Sequence, residues 1–156
     1  MASFATGYAS FGIVNAGLID LGDGDDTCKS IVGGTTPMNA YTIVGGGTFV
    51  LGAGSDTMVG FGSATVYADR FEEVEATKKG SKNGDVDSLY LIAGQVYTFT
   101  PTSKVTATGK TISGYDITCS TPGLNSYTMT VFGFETFGSS AVAQQAFQPG
   151  TNTYQL

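Results

Sequence analysis

Three carboxylates crowd into the stretch Gly22-Asp23-Gly24-Asp25-Asp26-Thr27. Calcium takes about 6–8 oxygen ligands, and some of these can be backbone carbonyls. Asp23, Asp25 and Asp26 are therefore the candidate metal ligands of this chain, with calcium as the candidate cofactor. The same residues also suit an acidic turn, where Asp-Gly and Gly-Asp steps serve backbone geometry alone. Both readings stand at this level. Asp85 and Asp87, in Asn83-Gly84-Asp85-Val86-Asp87-Ser88, invite the same comparison.

Other chemistry is hard to assemble from this residue set. The chain has no histidine. That removes the usual general base, the Ser-His and Cys-His dyads and the commonest metal ligand. Two cysteines, Cys28 and Cys119, fall short of a zinc ligand set. They form either a long-range disulfide or two separate buried thiols. Glu72, Glu73, Glu75 and Glu135 are the glutamates available for glycoside chemistry, and three of them share one charged patch. The glycine runs at 33–34 and 45–47 lack a Walker lysine and open no helix, so they read as structural. No catalytic residue is assigned, and the chain reads as non-enzymatic.

Composition narrows the partners. The formal net charge is -6, with only seven Lys and Arg. Nucleic-acid binding needs a basic stripe, and Lys78, Lys79 and Lys82 sit beside glutamates in what reads as a solvated turn. No window approaches the ~20 apolar residues of a membrane span. The N-terminus lacks the basic and apolar regions of a secretory signal. Charged residues make up only 13%, so Thr, Ser, Asn and Gly cover the surface. Such surfaces suit secreted, fibrous and virion proteins and those that bury much of their exterior against neighbours.

The elements that must position these residues are strands. Thr, Val, Tyr and Phe favour a pleated, half-buried surface, and glycine supplies turns and bulges. Alternation and turn signals predict strands within 11–21, 41–51, 57–68, 88–100, 105–118 and 127–137, with a short strand or single helical turn at 71–76. The expected fold is all-β: a single-domain antiparallel β-sandwich, or a jelly-roll or barrel-like variant, over residues 11–137. Residues 1–10 and 138–156 read as extended arms. Phe4, Tyr8, Phe11, Phe147 and Tyr154 are the candidate interface residues, isolated aromatics suited to docking on neighbours.

The acidic stretch has a looser second copy, Gly52-Ala53-Gly54-Ser55-Asp56-Thr57-Met58-Val59-Gly60. Both copies resemble the nonapeptide calcium repeat of RTX proteins. That resemblance implies a calcium-binding β-roll. RTX repeats run in tandem, whereas these copies lie thirty residues apart.

Together these features lead to the expectation of a structural or assembly protein. The specific expectation is a bacteriophage virion surface component, a capsid decoration or cement protein that self-associates as a dimer or trimer and docks on the major capsid protein. An extracellular calcium-stabilised or filament-forming β-protein is the alternative, followed by a tail or fibre component or a lectin-like module.

Overall fold

A computed structural model describes residues 13–30, 42–69 and 85–156 of the chain. The first nine strands wind into three successive coils. Coil one holds β1 (Ile13–Val14), β2 (Leu18–Asp20) and β3 (Thr27–Lys29). Coil two holds β4 (Thr42–Val44), β5 (Thr48–Val50) and β6 (Thr57–Val59), and coil three β7 (Phe61–Gly62), β8 (Ala64–Tyr67) and β9 (Ser88–Leu91). Equivalent strands of successive coils pair in parallel, β1-β4-β7, β2-β5-β8 and β3-β6-β9. The result is a parallel β-solenoid with three sheet faces.

Two later strands add a partial fourth coil. β12 (Thr128–Phe132) pairs in parallel with β8, and β13 (Thr136–Ser139) with β9. Antiparallel pairing then closes this end. β10 (Val96–Val105) and β11 (Thr111–Cys119) form a long hairpin; β11 joins β12, and β15 (Asn152–Gln155) joins β10. The short β14 (Gln145–Ala146) borders β13.

All-β structure is as expected; no closed barrel forms among the described residues, and most of their strand pairs are parallel rather than antiparallel. Antiparallel pairing is confined to the pairs made by β10, β11, β14 and β15. The reason the pattern misleads is physical. A solenoid strand buries one face and shows the other to solvent, as β5 and β6 do with buried centres between half-buried neighbours. That alternation is the same one an antiparallel sandwich produces. The long expected strands also break at corners. Asn15 turns coil one, and its N–H and C=O bond to Val44 and Gly47 of coil two. A Cβ on Gly45 would collide with the Asn15 backbone and one on Gly47 with the Asn15 side chain and carbonyl, so both positions require glycine.

Inward-facing residues stack from coil to coil. Cys28, Met58, Leu89 and Phe137 form one such column, and Ile19, Phe49, Val66 and Val131 another. They merge with Ile43, Leu51, Phe61 and Ile117 into one core. Cys28 and Cys119 are free thiols in separate places, and burial pushes the Cys28 thiol upward. The short strand or turn expected at 71–76, the lysine cluster and Phe4, Tyr8 and Phe11 all lie outside the described residues. No helix among the described residues is long and apolar enough to cross a membrane.

The two acidic-stretch copies are stacked corners. Gly22 pairs in space with Gly52 and Gly24 with Gly54, all four at φ between 106° and 140°. A Cβ on Gly52 would fall on the carbonyl oxygen of Gly22, whereas one on Gly22 would meet nothing. Gly22→Ala is therefore expected to cost only backbone strain, roughly 1–3 kcal/mol. Gly52→Ala adds a collision between coils and is expected to destabilise clearly more in denaturant melts. Equal losses for the two variants would show that the coils do not stack this closely.

Candidate functional site

The corner between the second and third sheet faces is built from paired acid and hydroxyl residues. Asp26-Thr27, Asp56-Thr57, Asp87-Ser88 and Glu135-Thr136 occupy the same position on four successive levels. Strand ladders stop at such a corner, so its backbone donors need other partners. The acids supply them. The Asp26 N–H donates to Asp56 Oδ1 at 2.7 Å, and the Asp56 N–H to Asp87 Oδ1 at 2.7 Å. The Asp87 N–H donates to Glu135 Oε2, again at 2.7 Å. Each carboxylate thus reaches back to the previous coil. Where the acceptor is ionised, such a bond is short and about twice as strong as a neutral one.

The neighbouring residue works in the opposite direction. Asp25 Oδ1 accepts from the Ser55 N–H at 2.9 Å, and Ser55 Oγ accepts from the Val86 N–H at 3.0 Å. Adjacent side chains therefore clip each coil to the one before and the one after. Ser88 and Thr136 extend the link through a hydroxyl–hydroxyl bond of 3.1 Å.

This arrangement gives the candidate calcium ligands specific work. Asp23 is exposed and bridges to Ala53; Asp25 and Asp26 take part in the two clips. Among the described residues no group of three or more Asp, Glu, Cys or His is placed to hold a metal ion. Of the three, Asp25 acts through its carboxylate, Asp26 through its backbone N–H and Asp23 through a backbone bridge, and their side chains are not gathered round one point. One oxygen, Asp26 Oδ2, is buried without a hydrogen-bond partner, as is Asp56 Oδ2.

The ladder residues are not equally solvated. Asp56 and Asp87 are buried, at 0% and 2% exposure. Burial pushes the Asp87 carboxyl up to about 7, reinforced by the charges of Glu135, Asp69 and Asp56 and opposed by the hydrogen bond from Asp56. Asp56 is raised as well, chiefly by burial, with Asp26, Asp25 and Asp69 adding to it.

Of the candidate interface residues, Phe147 and Tyr154 point into the domain. Phe147 packs against Phe99, Phe137 and Tyr115 with ring centroids 5.6, 4.8 and 5.1 Å apart. Tyr154 meets Phe99 at 5.1 Å and Phe137 at 4.7 Å. Residues 138–156, read as an extended arm, thus run back over their own core, with β15 as an edge strand and Leu156 buried.

The outer side of the β3-β6-β9 face carries a groove of about 540 Å³. Thr27 and Lys29 line it from β3, Thr57 and Val59 from β6, and Tyr90 from β9. Ser140 borders it beyond β13. No signal in the sequence separates these residues from other surface positions, because the strands that bring them together lie far apart along the chain. Glu135 was legible only as an isolated glutamate for the same reason.

No family model matches the chain, and neither does any curated protein or solved structure.

Two outcomes follow from this geometry. Between the ordinary carboxylate range near 4 and about 7, folded Asp87 holds a proton that the unfolded chain has released. Its contribution to stability is therefore full below that window and is lost as the pH rises through about 7. Asp87→Asn keeps the Oδ1 acceptor but cannot ionise, so melts from pH 4 to 8 are expected to flatten relative to the parent. An unchanged pH profile in that variant would remove Asp87 as the source. Phe147→Ala is expected to cost about 3 kcal/mol in denaturant unfolding, near the low end for truncating a packed phenylalanine. A loss near zero would return Phe147 to the role of a docking residue.

Proposed function

We propose that this protein is a non-enzymatic assembly subunit of a virion surface, a capsid decoration or cement protein that associates with copies of itself and docks on the major capsid protein. The observation that supports this reading is the difference between the two ends of the solenoid. At the C-terminal end the core is covered by the β10–β11 hairpin, β15 and the aromatic cluster around Phe99 and Phe137. At the other end, β1, β2 and β3 are the outermost strands of their sheets among the described residues. Val14 and Leu18 on that coil are 72% and 66% exposed.

An outermost strand carries a row of backbone donors and acceptors ready to pair with another chain. Short strands with exposed apolar residues on two of the three faces, Val14 on β1 and Leu18 on β2, make this end a natural joint. Individually weak edges gain from repetition, because a lattice of many subunits multiplies each contact. The acidic, weakly charged, Thr- and Gly-rich surface fits a protein whose partners are other protein subunits.

The test is light scattering on the full chain, repeated with calcium and with a chelator. A dimer or trimer indifferent to chelation is expected, and a double variant, Val14→Lys with Leu18→Lys, is expected to be monomeric with unchanged circular dichroism. Both positions face solvent, so the substitutions leave the core alone. A parent that is already monomeric overturns self-association. A mass that changes only on chelation moves the reading to an extracellular, calcium-stabilised β-protein.

A further inference from the structure

We infer that the groove on the β3-β6-β9 face is a binding site for an extended saccharide bearing a carboxylate. The inference stands on the groove itself and is independent of the assembly role.

Parallel pairing sets its pattern. Thr27 stands beside Thr57, and Thr57 beside Ser88; two residues along, Lys29 stands beside Val59, and Val59 beside Tyr90. Neighbouring strands lie about 4.8 Å apart, and residues i and i+2 of one strand about 6.6 Å apart on the same face. The groove therefore offers hydroxyls in one row and an apolar, aromatic row alongside it. Leu89 and Met58, between these positions, point inward and are fully buried, so the outward residues are held on a rigid base.

The two rows match the two surfaces of a sugar. A pyranose ring has faces of C–H groups and a rim of hydroxyls. Val59 and the Tyr90 ring supply the apolar and aromatic contact, and Thr27, Thr57 and Ser140 supply donors and acceptors for the rim. The charge is also specific. Among the described residues Lys29 is the cation lining the groove and no carboxylate lines it, on a chain whose net charge is -6. An anionic group on the ligand would be drawn to Lys29, against a net charge of -6 that disfavours polyanions in general. The wall at the β13 side is fixed by Gly138, next to Tyr90 in register, because the backbone of Val142 and Ala143 passes directly over it. A side chain at 138 would displace that wall.

The experiment is an amide chemical-shift titration of the full chain with tetragalacturonate, and in parallel with neutral cellotetraose. Saturable shifts confined to 27–29, 57–60 and 88–93 are expected with the acidic oligomer. Lys29→Gln is expected to weaken binding roughly tenfold, and Tyr90→Ala at least as much. Lys29 is exposed, so Lys29→Gln tests the site even if Tyr90→Ala fails to fold. Absence of shifts with either oligomer overturns the site. Equal binding of both oligomers, or binding unaffected by Lys29→Gln, overturns the acidic specificity. Because the readout is a monomer surface, its failure is separate from any failure of the self-association reading.

Discussion

The clip between coils is the interaction on which the rest of this molecule depends. A parallel ladder satisfies backbone groups along its strands, but each coil must also turn, and at a turn the ladder stops. In this protein the turn between the second and third faces is stitched by carboxylates that accept N–H bonds from the preceding coil. Asp25 and Ser55 accept bonds from the following one. Each link crosses 30 residues or more of sequence, so a single side chain fixes the rise of one coil on another. Without the carboxylate bonds the Asp56 N–H would be buried unpaired, at about 1–3 kcal/mol, and those of Asp26 and Asp87 partly so.

That construction has an electrostatic consequence. Stacking an acid on every level brings Asp26, Asp56, Asp87, Glu135 and the nearby Asp69 into mutual range inside a partly desolvated corner. Burial, with the like charges of Glu135, Asp69 and Asp56 adding to it, raises the Asp87 carboxyl to about 7. The hydrogen bonds it receives favour the ionised form and oppose that rise. The corner is held by geometry at the expense of charge, a balance that ties the solenoid's stability to pH.

The same stacking organises the surfaces. Columns of equivalent residues run along the solenoid on the inside as core and on the outside as rows. On one face these rows form the groove with its hydroxyls, Tyr90 and Lys29. At the first coil the stacking ends among the described residues, leaving three outermost strands and an apolar rim at Val14 and Leu18. A proposed assembly joint and a proposed ligand groove thus arise from one repeat, the first from where it stops and the second from how it lines up.

By itself the sequence determined the strand content, the turn role of the glycine runs, the lack of a histidine-based site and the importance of the Gly22–Thr27 and Gly52–Thr57 stretches, because each rests on local backbone preference or composition. Their relation was hidden. Thr27 and Thr57 are 30 residues apart and Thr57 and Ser88 are 31, but Thr48 and Thr65, one coil apart in the adjoining sheet, are separated by only 17. Insertions of unequal length at different corners erase the period, so two aligned corners resembled two unrelated acidic loops. Whether an alternating strand pairs in parallel or antiparallel is likewise set by which strand lies beside it, and both arrangements bury the same alternate residues. Tertiary structure alone decided that Asp56, Asp87 and Glu135 form one column, that Phe147 and Tyr154 turn inward, and that Lys29 and Tyr90 face a common groove. Each of these depends on contacts between residues distant in the chain, which local preference does not encode.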